Sequence, residues 1–269
     1  TRKVRILNGA HTSTALAAFL AGIDTVGDCV KDPVVGAYIR KAIFDEIIPT
    51  IDMPRPELET YASAVLERFA NPYIRHELIS ISLNSISKFK ARVLPSLATA
   101  WRKAPGSAPI LAFSLAALAA FYRGSRIEDN ALRCARPAAR GPAAPGGPED
   151  ASAAAYQAKD DLPVLERFLA IWRTAEAGAG LAPAAPVAPA AAPAVAGSVA
   201  RDLLREASFW GEDLSLTPGL EAAVAASLAS ILSRGTYETM RDLVSGGSPA
   251  AGGGARDHGA AAARGRGGA

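Results

Sequence analysis

The sequence predicts an all-α fold, a multi-helical domain of roughly eight to ten helices. Three observations carry that prediction. Aromatic residues make up only 6% of a chain that is 49% hydrophobic, and alanine fills the difference; alanine is the best helix former, whereas aromatic and β-branched residues favour strands. Apolar residues recur at three- and four-residue steps through most of the first half, the spacing of a buried helical stripe. No strand-like alternation of convincing length occurs anywhere, and there is no GxGxxG, so no dinucleotide-binding signature lies within these residues. At 269 residues the chain can bury one good core.

Taken in order, Lys3 to Leu20 opens the chain and lacks the basic, apolar and small-residue regions of a signal peptide. Pro54-Arg55-Pro56 breaks the chain ahead of a short amphipathic helix, Glu57 to Phe69. Asn71-Pro72 sets a capping side chain before a proline suited to a first helical turn. From there to Lys90, Ile74, Leu78, Ile81, Ile86 and Phe89 predict one helix, which Pro95 discourages from continuing. Pro109 to Tyr122 is an apolar run of 14 residues; a membrane span needs about 20, so this reads as the buried core helix of a soluble protein. Further helices are expected at Leu162 to Ala177, Ser198 to Ser208 and Pro218 to Ser233, the last with Thr217 as cap, Pro218 just inside and Gly235 as its stop.

Three stretches are of low complexity: Ala135 to Gly147, Gly178 to Gly197 and Ser245 to Ala269. Proline and glycine at that density bury too little apolar surface to offset ordering entropy. The expected organisation is a helical domain over 1–244, with flexible insertions near 135–155 and 178–197, followed by a disordered Gly/Ala/Arg tail over 245–269.

Net charge is only +3, and basic residues alternate with acids, as from Arg123 to Asp129. That pattern is a solvated surface and argues against a nucleic-acid partner; the absence of a long apolar segment argues against a membrane one. Cys29 and Cys134 have no CxxC spacing and no neighbouring histidine, so they read as free thiols of a reducing cytoplasm and not as a disulfide or zinc site. The sequence begins at Thr1, not Met, close to chemically suggestive residues, and is expected to be a fragment of something longer.

Those residues are Lys3, Asn8 and His11. On an α-helix at about 100° per residue, Asn8 lies about 140° from Lys3 and His11 falls about 80° from it, so all three can address one cavity. A lysine partly desolvated among apolar neighbours becomes a proton donor or acceptor near neutrality. An asparagine amide donates to a carbonyl or alkoxide oxygen without titrating, and a histidine orients a hydroxyl. Spacing by itself leaves open a purely structural helix end. Between residues 75 and 103 there are six basic residues (Arg75, Lys88, Lys90, Arg92, Arg102, Lys103) and one acid, Glu77. His76, Ser80, Asn84, Lys88 and Arg92 follow at four-residue steps, a polar stripe suited to a carboxylate, or equally to water at a helix C-terminus. Tyr122, Trp172 and Trp210 read as core aromatics, and Glu212-Asp213 as part of a turn.

The stretch KVRILNGAHTSTALAAFLAG resembles the segment that opens the C-terminal domain of the mannitol dehydrogenase family, in which Lys, Asn five residues on and His three further recur. Ala42 to Thr50, Arg68 to Pro72, Leu83 to Pro95, Phe121 to Gly124 and Trp210 to Leu214 are similar to its tagaturonate reductase (altronate oxidoreductase) branch. The resemblance covers residues 1 to about 125 well, continues in patches through 156–244 and fails in the low-complexity stretches. It implies Lys3 as general acid/base, Asn8 on the reacting oxygen and His11 as substrate-positioning residue. It further implies substrate contacts from Lys88 first and then Lys90 and Arg92, no metal, and NAD held by an N-terminal Rossmann domain absent from this chain. The implied reaction interconverts altronate and tagaturonate, with the chain inactive alone. A sibling enzyme acting on fructuronate/mannonate or mannitol, and a non-catalytic helical module or decayed fragment, remain the alternatives.

Overall fold

A computed structural model describes residues 1–71, 73, 75–137 and 155–246. The opening helix begins as a π-helical turn, Lys3–Asn8, and runs without a break into α1 (Gly9–Leu20). Side-chain oxygens start the next two helices: Thr25 accepts from Asp28 N to cap α2 (Val26–Lys31), and Asp32 accepts from Val34 N and Val35 N to cap α3 (Pro33–Lys41). A second π turn, Ala42–Ile47, follows α3 directly and ends in the 3-10 turn Ile48–Thr50, before α4 (Arg55–Phe69).

The single helix expected from Asn71 to Lys90 does not form. The Asn71 carboxamide accepts from Tyr73 N at 3.0 Å, a local turn in place of a cap; Pro72 and Ile74 lie outside the described residues. One helical turn, α5 (Leu78–Ile81), is separated from α6 (Ser85–Arg92) by Asn84 at φ 51°. Asparagine tolerates this left-handed conformation, and its N–H donates to Lys159 O at 3.1 Å, so a tertiary bond replaces helix propagation. α6 ends at Arg92, before Pro95 as expected, and Pro95 then opens α7 (Leu94–Lys103), its fixed φ suiting a first turn.

The apolar run becomes α8 (Pro109–Phe121), buried on every side as expected. Its N-terminus is capped by the buried Glu46 of the second π turn, whose two carboxylate oxygens accept from Ile110 N and Leu111 N at 2.8 Å each. α1, the second π turn, α10 and α12 all pack against α8.

Strands, which the sequence reading did not foresee, follow: β1 (Gly124–Glu128), β2 (Ala131–Ala135) and β3 (Ala155–Ala158) form an antiparallel sheet in that order. Asp129 and Asn130, at φ 52° and 54°, make the two-residue turn between β1 and β2. Four or five residues give too short an alternation to stand out, and the ladder partner of β2, Leu132↔Ala158 in register, is remote in sequence. Residues 138–154 and 247–269, which carry most of the expected first insertion and the tail, lie outside the described residues.

α9 (Leu162–Gly178), α10 (Ala192–Leu204), α11 (Ala207–Trp210), the 3-10 turn Leu214–Leu216, α12 (Leu220–Arg234) and α13 (Thr236–Val244) are the remaining elements among the described residues. The 178–197 stretch, expected as a flexible insertion, contains the end of α9 and the start of α10 and is hydrogen-bonded between them. Glu176, 1% exposed, accepts from Arg123 Nε at 2.8 Å and from Ala184 N at 3.0 Å, while Arg123 also donates to Ala185 O. α12 starts at Leu220 after Gly219 at φ 77°, two residues later than Pro218 suggested, and ends at Gly235 as expected. Tyr122, Trp172 and Trp210 are core aromatics, Asp213 caps the 3-10 turn, and both thiols are buried and free. Among the described residues no helix is long and apolar enough to cross a membrane.

Candidate active site

Lys3 and Asn8 stand at the two ends of the opening π turn. A ladder running i→i+5 stacks residues five apart, so the pair lies closer in azimuth than the about 140° of an α-helix. His11 follows on regular α1. Lys3 is exposed between exposed Arg2 and Val4, not set among apolar neighbours as expected, whereas Asn8 and His11 are half-buried.

His11 stacks on Phe69, with ring centroids 4.2 Å apart and planes 14° from parallel, and meets the edge of His76 at 5.4 Å. Burial, reinforced by the positive charges of His76, Arg92 and Arg68, lowers its pKa to about 4. The ring is therefore neutral at physiological pH, able to donate at one nitrogen and accept at the other. Its Nε2 is buried without a hydrogen-bond partner among the described residues, as is Thr14 Oγ1, and both residues line a small, mainly apolar cavity with Val26, Cys29 and Leu78.

Gly9 lets α6 come close. A Cβ there would stand 3.2 Å from Arg92 O, so the C-terminal end of α6 lies against the start of α1. Arg92 Nη1 reaches Thr12 Oγ1 at 3.4 Å, next to His11, and burial lowers its pKa. Lys88, one turn earlier, donates from Nζ to Ile81 O at 2.9 Å; burial and Arg92 lower its pKa, and Asp160 opposes them. Lys90 points elsewhere, for its Nζ would lie 3.1 Å from a Cβ on Gly211, away from Thr12. The structure thus gathers Arg92 beside His11, keeps Lys88 one turn away on the same helix, and sets Lys90 apart. The expected stripe through Ser80 and Asn84 is broken by the left-handed residue.

Several contributors escaped the sequence reading. Phe69, the stacking partner of His11, was visible only as the end of a helix. Asp160 Oδ2 accepts from Tyr122 OH at 2.6 Å and from Ile86 N at 3.3 Å, fixing the N-terminus of α6; no local pattern marks it. Among the described residues no three His, Cys, Asp or Glu side chains gather as a metal set would. The only sheet among them is antiparallel, without the strand–glycine loop–helix crossover that seats a dinucleotide.

Residues 1–143 match the family model described as the mannitol dehydrogenase C-terminal domain. The chain belongs to this family. It is 41% identical over 248 residues to an altronate oxidoreductase of Pectobacterium atrosepticum, and 40% identical over 245 residues to one of Klebsiella pneumoniae. Those alignments cover 91% and 90% of this chain and 42% of each relative, so the chain spans less than half the length of the curated relatives it matches. Among solved structures, a Pseudomonas fluorescens mannitol 2-dehydrogenase in ternary complex with NAD and D-mannitol superposes with a TM-score of 0.65 at 20% identity, over 91% of this chain and 40% of that one. A substrate-free D-sorbitol dehydrogenase superposes with a TM-score of 0.56 at 19% identity, covering 89% and 40%. Both likenesses bear on the fold alone, and they agree with the expected multi-helical domain.

Proposed function

We propose that this chain forms the proton-transfer and substrate-binding part of an NAD-dependent oxidoreductase that interconverts a sugar acid and its 2-keto form, altronate and tagaturonate being the pair. The observation that carries this reading is the approach of Arg92 to the helix of Lys3, Asn8 and His11, which sets a cation for a carboxylate beside groups suited to a carbinol. The altronate oxidoreductases that resemble the chain over nine-tenths of its length support the choice of a sugar acid.

In the oxidative direction Lys3 accepts the carbinol proton; in reduction it returns a proton to the carbonyl oxygen. The Asn8 amide donates to that oxygen as charge develops on it. His11, neutral and held by Phe69, orients a neighbouring hydroxyl. Arg92, with Lys88 behind it, takes the carboxylate; Lys90, turned toward Gly211, has the lesser part. NAD, when bound, supplies or accepts the hydride. In this reading a separate nicotinamide-binding domain of the Rossmann type holds it, as the altronate oxidoreductases, more than twice as long as this chain, have room for.

The test joins this chain to its nicotinamide-binding domain and compares Lys3→Ala with the parent. Turnover should fall by about 10²- to 10⁴-fold, while Arg92→Ala should raise KM for tagaturonate and leave KM for an uncharged polyol unaltered. An unchanged kcat and pH profile in Lys3→Ala would refute the assignment. So would robust NADH-dependent reduction of tagaturonate by residues 1–269 alone, because hydride transfer would then need no second domain.

A further inference from the structure

Arg5 sits in the middle of the opening π turn and is half-buried. Its Nε donates to Ser96 Oγ at 2.8 Å and its Nη2 to Thr50 Oγ1 at 2.9 Å. Ser96, in α7, is fully buried. Thr50 closes the 3-10 turn after the second π turn, and its own hydroxyl donates to Ile47 O at 2.7 Å, the last residue of that turn. Burial alone lowers the Arg5 pKa, and among the described residues no carboxylate pairs with it. A guanidinium is costly to remove from water, and here it meets two neutral hydroxyls. Its rigid fork nevertheless spans three elements at once: the opening π turn, the 3-10 turn and α7.

The winding of that opening turn has a chemical consequence. With i→i+5 closure Lys3 and Asn8 stack on one side; with α-helical closure they diverge by about 140°. An isolated π turn is rare and persists where surrounding contacts hold it. Arg5 is the one side chain of the turn with hydrogen bonds to other elements among the described residues.

We propose that Arg5 is a positioning residue: its fork holds the opening turn in π winding and so sets the azimuth of Lys3 against Asn8 and His11. The proposal rests on the function assigned above to Lys3 and Asn8, and its test separates the two. In the enzyme that includes the nicotinamide-binding domain, Arg5→Met should lower kcat by at least tenfold and toward a hundredfold, as expected for reacting groups misplaced by about 1 Å. KM for the sugar acid should stay within about threefold, because Arg92 and Lys88 are untouched. Arg5→Lys, which can reach only one hydroxyl, should recover part of the loss. Thr50→Val and Ser96→Ala, which each remove one acceptor, should lower kcat in the same direction by less.

With turnover normalised to folded protein, an Arg5→Met enzyme that melts earlier but keeps its kcat overturns the proposal. If Arg5→Met does not fold, Thr50→Val and Ser96→Ala decide by the same split: a kcat loss at constant KM supports the positioning role, and an unchanged kcat overturns it. Lys3→Ala is measured alongside. If it is inactive while Arg5→Met is fully active, the Arg5 proposal alone fails; if Lys3→Ala retains full turnover, the function of the site fails and the role of Arg5 fails with it.

Discussion

His11 and Glu46 give the folded chain two titrations of opposite sign in the same pH window. Between pH 6.5 and about 4 the unfolded chain binds a proton on His11 that the folded chain refuses. Its contribution to stability is therefore complete above pH 6.5 and declines as pH falls, by at most about 3 kcal/mol. Glu46 works the other way. Burial raises its carboxyl from 4.5 to about 7 against the pull of two backbone donors, so its contribution is complete below pH 4.5 and is lost as pH rises to about 7. The parent protein should show a nearly flat stability profile from pH 4.5 to 6.5. Urea midpoints measured across that range should rise with pH in Glu46→Gln and fall with pH in His11→Gln; parallel profiles in both variants would reject the pairing. At this scale the placing of Lys3, Asn8 and His11 on one helical segment was legible, because all three fall within nine positions. Which of Lys88, Lys90 and Arg92 lies next to them was not: three cations within five positions differ only in azimuth, and the azimuth of α6 is set from outside it.

That outside anchor is Asp160, which ties the first turn of α6 to Tyr122. Asp160→Ala removes three hydrogen bonds, from Ile86 N, from Asp161 N and from the buried Tyr122 phenol, and should cost about 1–3 kcal/mol. Amide exchange across Ser85–Arg92 should quicken more than exchange in α8, and KM for a sugar acid should rise as Lys88 and Arg92 lose their register. Equal exchange in α6 with and without the carboxylate would show that the helix orients itself. The same remoteness explains what the sequence concealed among the elements. Helices with their own stripe or apolar run, such as α4 and α8, can be read from local spacing. The break at Asn84 depends on a carbonyl at Lys159, and β3 depends on pairing with β2 across an intervening segment; neither has a local signature.

Across the whole molecule, one ion pair accounts for the ordering of a stretch whose composition suggested none. Glu176, buried with Arg123, also accepts from Ala184 N, while Arg123 donates to Ala185 O and lies over the Trp172 ring. Removing Arg123 strands the buried Glu176 carboxylate, so Arg123→Met should lose about 3–5 kcal/mol in denaturant unfolding. Arg123→Met/Glu176→Met should lose less than the two single variants summed, and full additivity would show that the contact carries no coupling. A different consequence follows from α8. It has no polar face, and its cover comes from α1 and the Ala42–Ile47 turn on one hand, and from α10 and α12 on the other. A ribosome delivers these from N-terminus to C-terminus, at about 5–20 residues per second. Between the emergence of Phe121 and that of Arg234 the nascent chain must carry a finished apolar helix with half its shelter still unmade. A chain released inside that interval would leave the tunnel as a client for chaperones, since it would end before the point at which the protein can first close upon itself.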